Sequence, residues 1–316
     1  MEAVLWLALG ILLLVFGGEY LVKASVAVSQ RLHISRIVIG MTVVSFATSV
    51  PELIVSLLSA VKGHPDIALG NVVGSNIANI ALVLGFTAIL IPIGVKRPTY
   101  AYNWPMMMLM SALLWLFLFT GHRLSGLEGL ILFVALVVFV VFIVRQSYRS
   151  GDAAHDEPDE DLHGIKFPLI LFWLVLSGAA LYLGSRWLVD GAVELARMLG
   201  VSERIISISV IAVGTSVPEL AASVISALKK ERDLSLGNLV GSNIFNIGSV
   251  LGLTAMIKPI ARFDAGILQN DIYWMTAISL LVVPLALLPP RNRIDWWKGS
   301  LFLLLYALFI YYSYAL

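Results

Sequence analysis

Glu52 and Glu219 are the two acidic residues that lie deep inside apolar stretches of this chain. Each one ends the same pentapeptide, Thr-Ser-Val-Pro-Glu, at 48–52 and 215–219. A central Asp in a membrane span costs roughly 2.5–3.5 kcal/mol on insertion scales, and such acids usually have a functional role. We find no Lys or Arg at matching depth in any predicted span, so a structural ion pair is the less favoured interpretation. The pattern predicts two carboxylates that bind a cation.

The proline before each glutamate removes a backbone donor. Pro51 cannot donate to the carbonyl of Ala47, and Pro218 cannot donate to that of Gly214. We therefore expect a helix break at both positions, since free carbonyls at membrane depth are tolerated where they line a cavity. The alternative is a plain proline kink whose carbonyls are satisfied by the neighbouring hydroxyls. Those hydroxyls belong to Thr48, Ser49, Thr215 and Ser216.

A second motif follows each pentapeptide, as GNVVGSNIANI at 70–80 and GNLVGSNIFNI at 237–247. Residues four apart share a helix face, which pairs Ser75 with Asn79 in the first copy. The same spacing pairs Ser242 with Asn246 in the second. Asn side chains also link helices by hydrogen bonds. We expect that linking role for the remaining central asparagines, Asn76 and Asn243.

The Glu, Asn, Ser and Thr side chains of the two motifs offer only oxygen atoms as metal ligands. The chain has no cysteine, and its five histidines fall outside the predicted spans. Oxygen ligands without Cys or His favour hard cations, namely Na⁺, Ca²⁺ or Mg²⁺. Two carboxylates balance one divalent cation. Additional neutral oxygens favour Ca²⁺, because it takes six to eight ligands while Mg²⁺ demands strict octahedra.

Composition indicates the elements that must position these residues. Of 316 residues, 59% are hydrophobic and 13% are charged, and the mean hydropathy is +0.92. Soluble domains carry about 25% charged residues, so the chain is predicted to be an all-α polytopic membrane protein. A net charge of +1 also argues against nucleic-acid binding. Ten spans of roughly 20 apolar residues are predicted, at 2–22, 36–61, 68–90, 102–120, 126–144, 167–188, 203–228, 236–257, 272–289 and 297–315.

The basic residues predict an orientation. Assigned to alternate sides, 14 of the 21 Lys and Arg fall on one side and 7 on the other. The positive-inside rule then places both termini outside. Because the first span has no basic residue before it and Lys23 after it, we expect it to be retained rather than cleaved. The acidic segment 150–164 reads as a solvated cytoplasmic linker, since it lacks the ordered spacing of a calcium-binding EF-hand loop.

An internal repeat joins these observations. Residues 48–92 align without a gap to 215–259, and 27 of the 45 positions are identical. Five spans precede the linker, so the second copy enters the membrane from the opposite side. Inverted repeats of this kind are typical of secondary transporters, with the site near the midplane. We expect two repeats of five helices, 1–149 with its motif at 40–92 and 165–316 with its motif at 207–259.

The paired motifs resemble the alpha repeats of the calcium/cation antiporter superfamily, and within it the bacterial calcium/sodium antiporters. The resemblance covers nearly the whole chain. It implies that spans one and six slide over a core of the other eight. It also implies carboxylate ligands at Glu52 and Glu219, and backbone carbonyl ligands from Ser45 and Ala212. The side-chain oxygens that it adds come from Thr48, Ser49, Ser75, Asn79, Thr215, Ser216, Ser242 and Asn246.

This chain departs from some members of the family at one ligand position. Some prokaryotic members have Asp where this chain has Asn246. The resemblance links an acid there to potassium dependence. Because this chain has Asn at both equivalent positions, 79 and 246, we do not expect potassium dependence. We expect exchange of Ca²⁺ for Na⁺ by alternating access. Coupling to H⁺ or K⁺ in the same fold, or a cation channel, are the alternatives.

Further expectations concern the protein's setting. It is predicted to be a transporter and not an enzyme, because no nucleophile–base pair, zinc signature or phosphate loop is found. Its partners are the transported Ca²⁺ and Na⁺ and the lipid bilayer, with no cofactor and no nucleic acid. A monomer can suffice. We expect it in the cell membrane, which is the inner membrane, of a bacterium or archaeon.

Overall fold

A computed structural model describes residues 2–150, 162, 164–200, 214–261 and 263–315. In this part of the chain, eight helices are long and apolar enough to span a membrane. A shorter apolar helix and a twenty-residue C-terminal helix complete a set of ten. The helices are α1 Glu2–Leu32, α2 Arg36–Val61, α3 Pro65–Leu90, α4 Thr99–Gly121, α5 Gly126–Ser150, α6 Phe167–Met198, α7 Val217–Leu228, α8 Arg232–Ile257, α9 Ile267–Leu287 and α10 Trp296–Ala315. The expected all-α membrane architecture is confirmed.

Two of these helices extend ten residues beyond the predicted spans. The sequence pattern ended the first and sixth spans at 22 and 188, but α1 continues to Leu32 and α6 to Met198. At 1.5 Å per residue these helices are about 46–48 Å long, well beyond the roughly 30 Å of bilayer hydrocarbon. The polar residues that follow each apolar stretch therefore extend the helix beyond the hydrocarbon instead of ending it.

Helices α1 and α6 pack closely and antiparallel through glycines. A Cβ at Gly10 would lie 2.6 Å from the backbone nitrogen of Leu188, and one at Gly184 would lie 2.9 Å from the carbonyl oxygen of Gly10. A Cβ at Gly191 would lie 2.8 Å from the carbonyl oxygen of Ala3. Small residues let membrane helices approach in this way. The pair is thus held by direct backbone packing.

Short strand pairings join the two halves of the chain. Strand β1 (Ile93–Gly94) follows α3 and pairs antiparallel with β2 (Arg293–Ile294), which precedes α10. An isolated bridge pairs Leu124, before α5, with Ile260, after α8. Ile93 and Ile260 are equivalent positions in the sequence repeat. The two connections are therefore related by the same internal symmetry.

One of the two expected helix breaks is wrong. In the first half, α-helix runs without interruption from Ser45 to Val61 with Pro51 inside it. In the second half, Thr215 and Ser216 form a turn and α7 begins at Val217, with Pro218 in its first turn. Proline is well tolerated in a first turn because that position needs no intrahelical donor. The same pentapeptide is therefore a continuous helix in one copy and a helix start in the other.

Wider π-helical turns mark the middle of α3 and α8. They cover Ala78–Leu84 in α3 and Asn246–Leu251 in α8, which are equivalent segments of the repeat. A third π-turn, Gly40–Val44, lies in α2 just before the first pentapeptide, and two more, Thr99–Asn103 and Ile267–Asp271, begin α4 and α9. Such turns are rare and occur frequently at functional sites. Here the first three place irregular backbone beside Asn79, Asn246 and Ser45.

Candidate cation site

The two glutamates lie in the fully buried centre of the bundle. Glu52 on α2 and Glu219 on α7 both have no exposed surface. Within the described part of the chain, neither carboxylate has a hydrogen-bond partner of good geometry. The two groups carry like charges, so each raises the cost of ionising the other. Burying an unpaired ionised carboxylate is very costly, so this centre is arranged for a positive charge.

Other candidate ligands also carry oxygens without a partner. Among the described residues, no hydrogen bond reaches the buried side-chain oxygens of Ser49, Ser216, Asn79 and Asn246. With the glutamates, these form three pairs that are each related by the repeat offset of 167 residues. Native proteins leave few buried polar atoms unsatisfied, and each case calls for an explanation such as an absent ion. The eight oxygens of these six residues match the number that a calcium ion takes.

The amide groups of Asn79 and Asn246 are held in a fixed orientation. Asn79 donates from Nδ2 to Oδ1 of Asn243 at 3.1 Å, and Asn246 donates from Nδ2 to Oδ1 of Asn76 at 3.0 Å. Both bonds use the donor of the amide and leave its oxygen free. Asn76 and Asn243 therefore form the expected link between α3 and α8, and they also orient the two amides beside them.

The hydroxyls of the two motifs meet across the repeat. Thr48 lies 3.4 Å from Ser242 between hydroxyl oxygens, and Ser75 lies 3.4 Å from Thr215. Thr48 also approaches the carboxylate of Glu219. Each contact joins a pentapeptide of one half to the GSN motif of the other. The site is therefore assembled from both copies and does not exist within either alone.

The two backbone ligand candidates can be followed only in part. The carbonyl oxygen of Ser45 accepts a hydrogen bond from the Thr48 hydroxyl at 3.3 Å, and Ser45 is fully buried. Ala212 lies outside the described residues. The carbonyl that Pro218 leaves without a donor belongs to Gly214, and it accepts a hydrogen bond from Ser185 of α6 at 2.8 Å. This carbonyl is thereby satisfied by a neighbouring helix.

Sequence reasoning gave no role at the site to Asn238. Its Oδ1 accepts hydrogen bonds from Thr48 at 3.2 Å and Ser242 at 3.4 Å, while its Nδ2 donates to Ser223 at 3.0 Å. Its repeat equivalent, Asn71, donates to Ser56 at 3.1 Å. Both asparagines lie four residues before the serines of their motif. That spacing was the signal that could have placed them on the same face.

Glycines of α8 close one end of the site. A Cβ at Gly241 would lie 2.3 Å from the Ser45 hydroxyl, and one at Gly237 would lie 2.4 Å from the carbonyl oxygen of Ile37. Helices α2 and α8 are therefore in backbone contact at this end, which we call the closed end. The equivalent glycines of α3, Gly70 and Gly74, are half-buried, and the segment 203–213 that corresponds to the contacting part of α2 lies outside the described residues.

Ten helices in two inverted repeats, with a buried oxygen-lined centre shared between them, define a membrane transporter of the secondary type. Comparison with known proteins narrows this class. The model of the sodium/calcium exchanger protein family matches residues 2–145 and 169–315, and the chain belongs to this family. It is accordingly a membrane antiporter for Ca²⁺ and Na⁺. The expected superfamily is confirmed, and the acidic segment lies between the two matched ranges.

Individual relatives are similar over their whole length. The chain is 39% identical to the putative antiporter CaxA of Alkalimonas amylolytica, over 99% of this chain and 98% of that protein. It is 30% identical to the sodium/calcium exchanger MaX1 of Methanosarcina acetivorans, over 96% of each. Among solved structures, it matches the sodium-calcium exchanger NCX_Mj with a TM-score of 0.80 and 28% identity, over 97% of each chain.

Proposed function

We propose that this antiporter binds Ca²⁺ and Na⁺ in turn at the buried oxygen site and exchanges them by alternating access. The observation that carries the proposal is a set of buried oxygens that have no partner among the described residues, on Glu52, Glu219, Ser49, Ser216, Asn79 and Asn246. Its proposed ligands are Glu52, Glu219, Asn79, Asn246, Thr48, Ser49, Thr215, Ser216, Ser75 and Ser242, with carbonyls from Ser45 and Ala212.

The charge of the site supports exchange between these two ions. Two carboxylates neutralise one Ca²⁺, and several Na⁺ ions can supply the same charge. Among the residues that the structure describes, no group of three or more His, Asp or Glu side chains forms a metal cluster. The other oxygens are therefore neutral. A neutral, flexible oxygen shell suits Ca²⁺ better than Mg²⁺.

The same charges account for coupling. An empty site holds two unpaired carboxylates near the centre of the bilayer, and like charges at close range resist joint ionisation. Converting the empty protein between its outward-open and inward-open states is costly, whereas the neutral, ion-loaded protein converts readily. Exchange is thereby favoured over leak, and a channel or uncoupled movement is not favoured.

Several features of its setting belong to the same proposal. The repeats span 1–149 and 165–316 with motifs at 40–92 and 207–259, and 150–164 forms a cytoplasmic linker. Both termini lie outside the cell membrane of a bacterium or archaeon, which the excess of basic residues on one side supports. The protein acts without a cofactor, without nucleic acid and without catalytic chemistry, and a monomer suffices.

Flux of ⁴⁵Ca²⁺ in proteoliposomes under imposed Na⁺, K⁺ and H⁺ gradients tests this function. We expect Ca²⁺ uptake when Na⁺ is inside and absent outside, and none with K⁺ or H⁺ gradients of the same size. Uptake that follows a pH gradient and ignores Na⁺ would instead identify a proton-coupled exchanger. Persistent flux without any counter-ion would identify a channel.

A further inference from the structure

A large apolar groove lies between α2 and α6, outside the cation site. Its volume is about 690 Å³, and Phe245 of α8 closes its back. Phe46, Val50 and Ile54 line one wall, and Val175 lines the other. A volume of this size accommodates a drug-sized molecule. The three helices that form the groove are all candidate membrane spans.

The surroundings of the groove define the chemistry of its occupant. Phe46 and Val175, on opposite walls, are 53% and 66% exposed. The groove is thus continuous with the apolar surface that these helices present to the bilayer. Thr42 and Tyr182 are the lining residues that carry a hydroxyl, and that of Thr42 already donates to the carbonyl of Val38 at 2.7 Å. Because a water molecule needs two to four polar partners, this lining favours hydrocarbon over water.

The face of α6 that lines the groove leads to a cation, Arg186. Leu171, Val175, Gly178 and Tyr182 recur every three to four residues and so share one face of α6. Arg186 continues this face one turn further. Its nearest acidic neighbour, Asp190, lies 3.9 Å away and both side chains are mostly exposed, so their pairing contributes little.

The position of Arg186 along the helix matches a phospholipid headgroup. Lys166 precedes α6 by one residue, and Arg186 lies 20 residues further on. That separation is about 30 Å along a helix, which is the thickness of the bilayer hydrocarbon. Guanidinium groups bind phosphate with paired, charge-assisted hydrogen bonds. We propose that the groove binds one acyl chain of a phospholipid whose phosphate is held by Arg186.

The bound acyl chain would contact both the long helix α6 and the motif that carries Glu52. Ala47 and Pro51 line the groove and are direct sequence neighbours of Thr48 and Glu52. The lipid would therefore lie against the back of the helix turn that presents the carboxylate. This site does not depend on which ions are exchanged.

A phosphatidylglycerol with a diazirine in one acyl chain tests the proposal. It is titrated into the purified full-length protein in detergent micelles, irradiated, and mapped by peptide mass spectrometry. We expect saturable labelling concentrated in 42–54 and 171–182. The reference position outside the groove is Val138 on α5, which is 62% exposed and should be labelled less. Equal, non-saturating labelling at both places would overturn the groove as a site.

Two kinds of variant distinguish binding of the acyl chain in the groove from binding of the phosphate by Arg186. Val175→Trp fills the groove from a side chain that is already exposed, and Val138→Trp is its matched control. We expect groove labelling to be lost only in Val175→Trp. Arg186→Gln should weaken lipid affinity by about tenfold, as expected for one charge-assisted hydrogen bond, while Lys258→Gln should not. Equal affinity in both charge variants would overturn the phosphate contact.

Discussion

Asn76 and Asn243 exchange the same hydrogen bond in both directions. Asn76 donates from Nδ2 to the backbone oxygen of Asn243 at 3.2 Å, and Asn243 donates to that of Asn76 at 3.1 Å. The two residues occupy equivalent positions of the repeat, so the internal symmetry axis passes between them. Their remaining Oδ1 atoms hold the amides of Asn79 and Asn246. This pair therefore joins the halves and orients the proposed ligands.

Removing one member of this pair should affect stability and ion affinity together. Asn243→Ala leaves the donor of Asn79 unpaired, and an unsatisfied buried group costs about 1–3 kcal/mol. We expect a lower melting temperature and a raised KM for Ca²⁺, because the Asn79 amide is free to rotate. Thermal unfolding and ⁴⁵Ca²⁺ flux measure the two effects.

A buried hydroxyl outside the site provides the control. Thr254 is fully buried and its hydroxyl has no partner among the described residues. Thr254→Val should leave the KM unchanged. An unchanged KM in Asn243→Ala as well would mean that Asn79 is not oriented by this bond or is not a ligand.

Replacing Asn246 with Asp should change the ion dependence. The substitution adds a third carboxylate to the site and removes the donor that binds Asn76 at 3.0 Å. A more negative site needs one more positive charge for neutrality, so we expect flux to become dependent on K⁺ or pH. Asn79→Asp is the equivalent change in the other half. Sodium, potassium and pH profiles that match the parent protein would count against Asn246 as a ligand.

The closed end of the site should not tolerate one added methyl group at Gly241. In Gly241→Ala the new Cβ would lie 2.3 Å from the Ser45 hydroxyl and 2.6 Å from Cα of Met41. Overpacking of this kind costs about 1–3 kcal/mol. We therefore expect Gly241→Ala to destabilise the closed end, as measured by thermal unfolding.

Gly74→Ala is the equivalent substitution in the other half of the repeat. If the two halves close the site in turn, Gly74 needs the same close helix approach as Gly241 in one state of the cycle, so the variant should slow ⁴⁵Ca²⁺ exchange. Full exchange activity in Gly74→Ala would contradict such a swap.

Ion pairs reinforce the closed end. The segment from Lys229 to Asp233 is paired with three other elements: Lys229 with Glu19 at 3.2 Å, Lys96 with Asp233 at 2.6 Å, and Arg36 with Glu231. Arg36 and Glu231 are mostly buried, so this pair is screened less by salt than the exposed ones. Arg36→Glu should open this end, and the double variant Arg36→Glu/Glu231→Arg should close it again.

Cysteine accessibility measures this opening, since the native chain has no cysteine. Leu234 lies in the closed end and is fully buried. In a Leu234→Cys background, maleimide labelling should rise with Arg36→Glu and return to its low level in the charge-swapped double variant. Equal labelling of all three proteins would show that the pair does not hold the end closed.

The repeat in the sequence predicts most of the candidate site, because identical residues at a constant offset are expected to occupy equivalent positions. Glu52, Glu219, Asn79 and Asn246 are predicted in this way, and all four are fully buried in the structure. A repeat cannot reveal where its copies differ. Pro51 lies inside a helix, whereas Pro218 lies in the first turn of one, and the carbonyl freed at Gly214 accepts a hydrogen bond from Ser185 of another helix. That contact depends on packing between distant segments, which a local pattern does not contain.

The π-turns also escaped prediction. The periodicity of 70–80 and 237–247 indicated regular helix, and Ser75 and Asn79 were paired by a four-residue spacing. Wide turns over Ala78–Leu84 and Asn246–Leu251 interrupt that regularity. The reciprocal bonds of Asn76 and Asn243 join α3 and α8 just before these turns, and such contacts between distant segments are not contained in a local pattern.

The most direct test of the account is equilibrium binding of ⁴⁵Ca²⁺ to the purified protein and to Glu52→Gln and Glu219→Gln. Each variant keeps the shape of the side chain and removes one charge, and Glu128→Gln, at the start of α5, serves as the control. The account predicts one Ca²⁺ per chain for the parent and the control. It predicts no measurable binding in either site variant, because both carboxylates serve a single ion. Retention of tight Ca²⁺ binding by either site variant would contradict a site shared between the two halves.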